Sequence, residues 1–193
     1  MAELSELRIG YVMTGSFCTF RYSFEQAEML VKKGAELVPV MSCNAATISS
    51  RFGAAEDNIK TLENICGRKV ITSIEEAEPI GPKNMTDIMV VCPCTGNTCA
   101  KLASSITDNA ATMAVKSHLR NKRPVVIALA SNDSLAGSMK NIGNLMNMKN
   151  YFFVPFYQDD AQKKPTSAIC DFSRLEETIL AALDGRQLQP VIR

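Results

Sequence analysis

The sequence predicts a doubly wound α/β domain on a mostly parallel, Rossmann-like sheet. Three observations predict it. Apolar, β-rich runs alternate with segments of helical periodicity along the chain. The run over 87–93 is apolar after its opening Asp87 and that over 124–130 is apolar throughout, as strands covered on both faces require. At least five such runs are separated by helical segments, and the right-handed crossover rule then favours parallel pairing.

The first strand is RIGYVMT, 8–14, ending in Gly15-Ser16. The pattern turns helical from Tyr22 to Lys33. Phe24, Ala27, Met29, Leu30 and the stem of Lys33 face inward, and Gly34 supplies a C-terminal cap. ELVPVMS, 36–42, is the second strand; Pro39 lacks a donor, which puts it at an edge or a bulge. Residues 43–53 read as a loop with a short helical piece. A helix over 54–66 follows, with Ile59, Leu62 and Ile65 inward. Residues 74–83 contain Pro79, Gly81 and Pro82 and read as irregular.

DIMVVCP, 87–93, is the most apolar run and hence central; it feeds a Thr/Gly/Asn loop and a helix over 98–105. Asp108 is placed to cap a helix ending near Arg120. PVVIALA, 124–130, is another buried strand, 135–149 is helical, and YFFVPF, 151–156, is a further strand. A polar segment, 157–166, leads to a last helix over 174–183. Residues 1–156 thus form the α/β domain. Residues 157–193 form a C-terminal extension packed on it or on a neighbouring subunit.

The composition bounds the function. With 193 residues, 46% of them hydrophobic, the chain can bury a core as one domain. No run of 18 uncharged apolar residues appears, so no membrane span is expected, and two Glu before the first apolar run are wrong for a signal peptide. The 21 basic and 20 acidic residues leave a net charge of +1, and aromatics are only 6%, which argues against a nucleic-acid binder. Seven scattered cysteines fit free thiols in a reducing, cytoplasmic compartment. Cys92-x-Cys94 with Cys99 has no fourth ligand at finger-like spacing, so no metal is expected. Cys92 reads as core and Cys94 as nearer the ligand space. The sole histidine, His118, reads as structural or solvent-facing. The stripe Met139, Ile142, Leu145, Met146 and Met148 exceeds what one small domain buries and predicts a homo-oligomer.

Ligands of open α/β sheets bind beyond the carboxyl ends of the strands. Three loops belong there: Thr14-Gly15-Ser16, Ser42-Cys43-Asn44, and Pro93-Cys94-Thr95-Gly96-Asn97-Thr98. The first has a glycine for close approach of an anion and two hydroxyl donors; a bland turn is the competing reading. The third is uncharged and rich in donors, and fits either the edge of a flat heterocycle or a plain capped helix start. Neither a G-x-x-x-x-G-K-[ST] loop nor a G-x-G-x-x-G fingerprint occurs, and the second strand ends without an acid. An NADP-type site using Arg51 stays as an alternative. Arg51, Lys163 and Lys164 are the candidate partners of an anionic substrate, against a reading as solvated charges; Arg51 has Glu56 and Asp57 as alternative partners.

TGS after the first strand, Ser42 after the second, PCTGNT after the central strand and LASSITDN over 102–109 resemble the flavoprotein family, which includes the cysteine decarboxylases of pantothenate and lantibiotic pathways. The resemblance implies a three-layer sandwich, an FMN site and trimeric assemblies. The phosphate would lie at Thr14, Gly15, Ser16 and Ser42, with the Pro93, Thr95, Gly96, Asn97 and Thr98 loop toward the ring. The family's loop usually reads Pro-x-Ser-Ala-Asn-Thr, whereas this chain has Thr95-Gly96. Decarboxylating members also carry a histidine after the second strand and a Pro-x-Met-Asn-x-x-Met substrate motif. This chain has neither, and reads Ser131-Asn132-Asp133-Ser134 after its 124–130 strand.

RIGYVMTGSFCTF, ISSRFG, AEPIGPK, the run from Cys92 to Val126, SNDSLAG, KNYFFVPFYQDDAQKKPTS and QLQP are similar to the dipicolinate synthase B-subunit family. That resemblance implies sporulation, in the mother cell of a spore-forming bacterium. It also implies a nucleotide-binding A subunit as partner and a role in oxidising a dihydrodipicolinate-type precursor to a small dicarboxylate. A non-catalytic binding or scaffolding role and an NADP-dependent oxidoreductase role are the alternatives. The catalytic residues stay unassigned.

Overall fold

The computed structural model describes residues 4–193. Four parallel strands form the sheet's body in the order β2 (Glu36–Met41), β1 (Arg8–Met13), β3 (Ile88–Cys94), β4 (Val125–Ser131). The far edge of β4 is shared. Val125–Ile127 pair in parallel with β5 (Tyr151–Phe153), while Ala130 and Ser131 pair antiparallel with β7 (Ala168–Cys170). β6 (Phe156–Gln158) completes the sheet antiparallel to β7. The predicted 151–156 strand is therefore split. Val154 and Pro155 separate its halves, and β7, at three residues, is too short to signal a strand.

Burial explains the order. Every residue of β3 and six of the seven in β4 are buried, so these strands are covered on both faces. β2 lies at the edge, and Pro39 fits there. Its carbonyl faces away from β1 and accepts from Ile71, so its missing donor costs no ladder bond to β1.

The helices are α1 (Phe20–Lys32), α2 (Cys43–Thr47), α3 (Ala55–Cys66), α4 (Ile74–Ala77), α5 (Gly96–Ala103), α6 (Ala110–Leu119), α7 (Met139–Asn147) and α8 (Leu175–Leu183). α1 packs on α3, α6 lies across β1, β2 and β3, α5 packs on α7, and α8 packs on β3, β4 and β5. α1 buries Phe20, Ser23, Ala27 and Leu30, spaced along one face; Phe24 and Met29 are only partly buried, and Lys33 reaches out to Glu176.

Several boundaries differ from the sequence expectation. α1 begins earlier, after a 3-10 turn at Phe17–Thr19. The 74–83 stretch is partly helical, because Ser73 and Glu76 form a capping box at the start of α4. Asn109, not Asp108, caps α6; Asp108 pairs with Lys101 instead. α7 starts four residues late, since the Asp133 carbonyl draws the amides of Ala136 and Ser138 into a turn.

His118 is buried on α6. Its Nε2 faces the Pro124 carbonyl at 3.0 Å and its Nδ1 the Thr86 hydroxyl at 2.8 Å. A carbonyl only accepts, so Nε2 carries the proton and the neutral ring is satisfied on both sides. Burial is the main force driving its pKa down to about 4. The role is structural.

Candidate functional site

From β1 the chain winds out to β2, then crosses back to β3 on the other side of β1. The crevice between the carboxyl ends of β1 and β3 is the topological switch point of such a sheet. The loops after these two strands are clasped together there. The Thr14 hydroxyl donates to the Pro93 carbonyl at 2.8 Å and accepts the Thr95 amide at 3.0 Å. The Thr14 amide also donates to Pro93, at 3.2 Å.

Two clefts open on either side of this clasp, and Gly15 and Thr95 line both. The polar cleft has a volume of 420 Å³ and is walled by Ser42, Asn44, Asn97, Thr98 and the Lys101–Asp108 pair. That pair is tight, with Nζ–O distances of 2.7 and 2.9 Å, and its hydrogen bond holds the Asp108 carboxyl below the usual range. The second cleft, 410 Å³, has apolar walls from Phe17, Phe52, Ala130 and Ile169, with Ser131, Asp133 and Lys164 among its polar groups. Both volumes lie within the range of small-molecule sites.

The local sequence builds these walls. Thr95 caps α5 by accepting the Thr98 amide, and its hydroxyl donates to the Thr98 hydroxyl at 3.0 Å. Ser42 caps α2 through the Ala45 amide. The structure therefore brings Gly15, Ser16, Ser42, Thr95, Asn97 and Thr98 to the lips of adjoining clefts.

Other candidates are placed differently. Thr14 and Pro93 line neither cleft; Thr14 is buried with its only proton given to Pro93, so it is a clasp and not an anion donor. Gly96 lies under the second cleft, against Ser131, Asp133 and Ser138. Lys164 lines the second cleft, 3.4 Å from Asp159, whereas Lys163 lines neither. Arg51 also lines neither, its guanidinium lying 4.9 Å over the ring of Phe52, which does. It makes no ion pair with Glu56 or Asp57, and nothing in its placement supports an NADP site. Cys94 is not nearer the ligand space. It is fully buried with its Sγ 3.5 Å from Cys99 Sγ, and that contact and burial push its thiol pKa well up. All seven cysteines are free thiols.

Sequence reasoning missed the loop after β4, which supplies Ser131, Asn132 and Asp133 to the second cleft. The strand-end rule that selected the other three loops applies equally here. Asp108 was also missed, although it belongs to the LASSITDN run, whereas Asn44 lines the polar cleft from the predicted Ser42-Cys43-Asn44 loop. Among the described residues, no three His, Cys, Asp or Glu side chains are grouped to hold a metal ion, and no helix is long and apolar enough to cross a membrane.

A mostly parallel sheet whose switch point carries donor-rich loops, with no dinucleotide fingerprint, is in keeping with the class to which the chain belongs, the flavoprotein family, whose sequence model matches residues 1–181. Within that class it is similar to the B subunit of dipicolinate synthase. The Bacillus subtilis (strain 168) protein of that name is 44% identical over 192 residues, spanning 100% of this chain and 96% of the relative. The crystal structure of the dipicolinate synthase B subunit from Bacillus halodurans C superposes with a TM-score of 0.91 at 38% identity, covering 100% of this chain and 98% of the other. The FMN-dependent cysteine decarboxylase SpaF shares the fold, with a TM-score of 0.71 at 22% identity over 94% of this chain and 97% of its own.

Proposed function

We propose that this chain is the B subunit of a dipicolinate synthase, that its paired clefts hold FMN, and that it takes part in oxidising a dihydrodipicolinate-type precursor. The observation that carries the reading is the meeting of a donor-rich cleft and an apolar-walled cleft at Gly15 and Thr95. A ligand with an anionic end and a flat end has the same division. Family membership supports a flavin, as does the FMN dependence in the name of the decarboxylase that shares the fold.

The residues fit such a group. A Cβ built on Gly15 would meet nothing closer than 3.6 Å, and its φ is not positive. Nothing inside the chain therefore demands glycine there, whereas close approach of a ligand to the backbone does. The start of the eight-residue α5 favours a negative group by about 0.3–1 kcal/mol.

In this reading Gly15, Ser16 and Ser42, with Asn97 and Thr98 at the start of α5, hold the phosphate in and beside the donor-rich cleft, and the flat end takes the apolar-walled cleft. Phe17 and Phe52 exclude water from the flat face. Bound FMN supplies a two-electron acceptor. Lys164, with Arg51 and Lys163 at the mouth, meets the carboxylates of a small dicarboxylate. The partner is a nucleotide-binding A subunit, and the exposed Met139, Met146 and Met148 serve a homo-oligomer. The setting is the cytoplasm of the mother cell in a spore former.

Titration of the purified chain with FMN tests the site: flavin fluorescence should be quenched with a saturable endpoint. No quenching and no calorimetric heat would remove it. Dipicolinate formation by the A subunit alone, at the rate of the two proteins mixed, would leave this chain a scaffolding or binding role.

A further inference from the structure

We infer that Asp133 takes up the proton that the substrate ring loses as it becomes aromatic, an assignment that rests on the function proposed above. The carboxylate lines the apolar-walled cleft, on the loop that leaves β4. Serine hydroxyls hold it: Ser131 donates to Oδ1 at 2.5 Å, and Ser138, buried, reaches both oxygens at 3.0 Å. Among the described residues Asp133 makes no ion pair. The cleft's other carboxylate, Asp159, lies 3.4 Å from Lys164. Asp133 is thus oriented by neutral hydroxyls with no cation beside it, while Asp159 is matched to a cation.

The backbone beneath is shaped around this group. A Cβ on Gly96 would stand 2.6 Å from Asp133 Oδ1 and 2.8 Å from Ser131 Oγ, and would also collide with Ser138 Oγ. Glycine at the first position of α5 is what lets the serine-held carboxylate sit there.

The chemistry needs such a group. Aromatisation of a dihydropyridine dicarboxylate removes two hydrogens. One leaves with its electron pair to a two-electron acceptor of the flavin or nicotinamide class, which is reduced. The other leaves as a proton: its C–H bond breaks, that electron pair becomes the new ring double bond, and the proton bonds to Asp133 Oδ2. Lys164, 3.4 Å from Asp159, lines the same cleft as a cation for a substrate carboxylate.

Asp133→Asn keeps an oxygen for the serines and removes the base. With the A subunit present, kcat should fall roughly 100-fold or more, the usual scale of general-base loss. KM should stay within about threefold and FMN affinity within about twofold. Asp133→Ala should lose as much, and added formate should restore at least about a tenfold share of that loss. A kcat near wild type for Asp133→Asn overturns the inference. So does failure of formate rescue in an Asp133→Ala protein that still binds FMN, since that marks a structural role. Wild-type protein that neither binds FMN nor raises dipicolinate formation by the A subunit defeats the functional reading, and this inference with it.

Discussion

The amide of Thr95 donates to the hydroxyl of Thr14 across 3.0 Å, joining two loops 81 residues apart in the chain. The same hydroxyl donates to the Pro93 carbonyl at 2.8 Å. Since Thr14 is buried, Thr14→Val keeps the shape and strands both the Thr95 amide and part of the Pro93 carbonyl. Loss of about 1–3 kcal/mol is expected by urea denaturation, the scale of an unsatisfied buried polar group. Thr14→Ser should recover most of it. Equal stability of Thr14→Val and wild type would show the clasp to be incidental.

Gly15 and Gly96 are predicted to respond oppositely to alanine. At Gly15 the new methyl has room, so stability should hold or rise by about 0.4–1 kcal/mol while FMN affinity drops. At Gly96 the methyl meets Asp133, Ser131 and Ser138, and stability should fall by about 1–3 kcal/mol. Thermal melts with and without FMN separate the two cases.

His118 predicts a pH dependence. Burial first, with Arg123 nearby, lowers its pKa from 6.5 to about 4 in the folded chain, against a hydrogen bond to Pro124 that raises it. The unfolded chain therefore binds the extra proton between these values. The stability from keeping the ring neutral is complete above about pH 6.5 and is lost as pH falls toward 4. The loss is on the order of 3 kcal/mol. Denaturation midpoints of His118→Gln should be flatter over this window than those of wild type; parallel curves would reject the assignment.

Arg51→Lys tests the cleft mouth. With the guanidinium stacked on Phe52 and no carboxylate partner among the described residues, the change should leave stability nearly unaltered. Loss of a fork-like contact to substrate carboxylate should raise KM at least about tenfold with the A subunit present, equivalent to about 1.4 kcal/mol. An unchanged KM would return Arg51 to the solvated surface.

The sequence by itself determined the elements whose signal is local. Unbroken apolar runs marked β3 and β4 because both faces of those strands are covered. Pro39 marked the edge strand because its missing donor can only face outward, and Gly15, Ser42 and Asn97 were legible because strand ends in such sheets are where ligands bind. Only the tertiary structure decided what depends on distant partners. β7 is three residues long and exists because β4 and β6 supply its hydrogen bonds. Asp108 and Asn109 are equal as caps on paper, and Lys101 settles which one turns away. Thr14 reads as an anion donor until its hydroxyl is seen to donate to the Pro93 carbonyl, and Asp133 reads as a loop residue until Gly96 lets it stand beside the cleft. Hydrophobic period and backbone propensity act within a few residues, whereas the direction of a hydroxyl or carboxylate is set by whichever partner folding brings within about 3 Å.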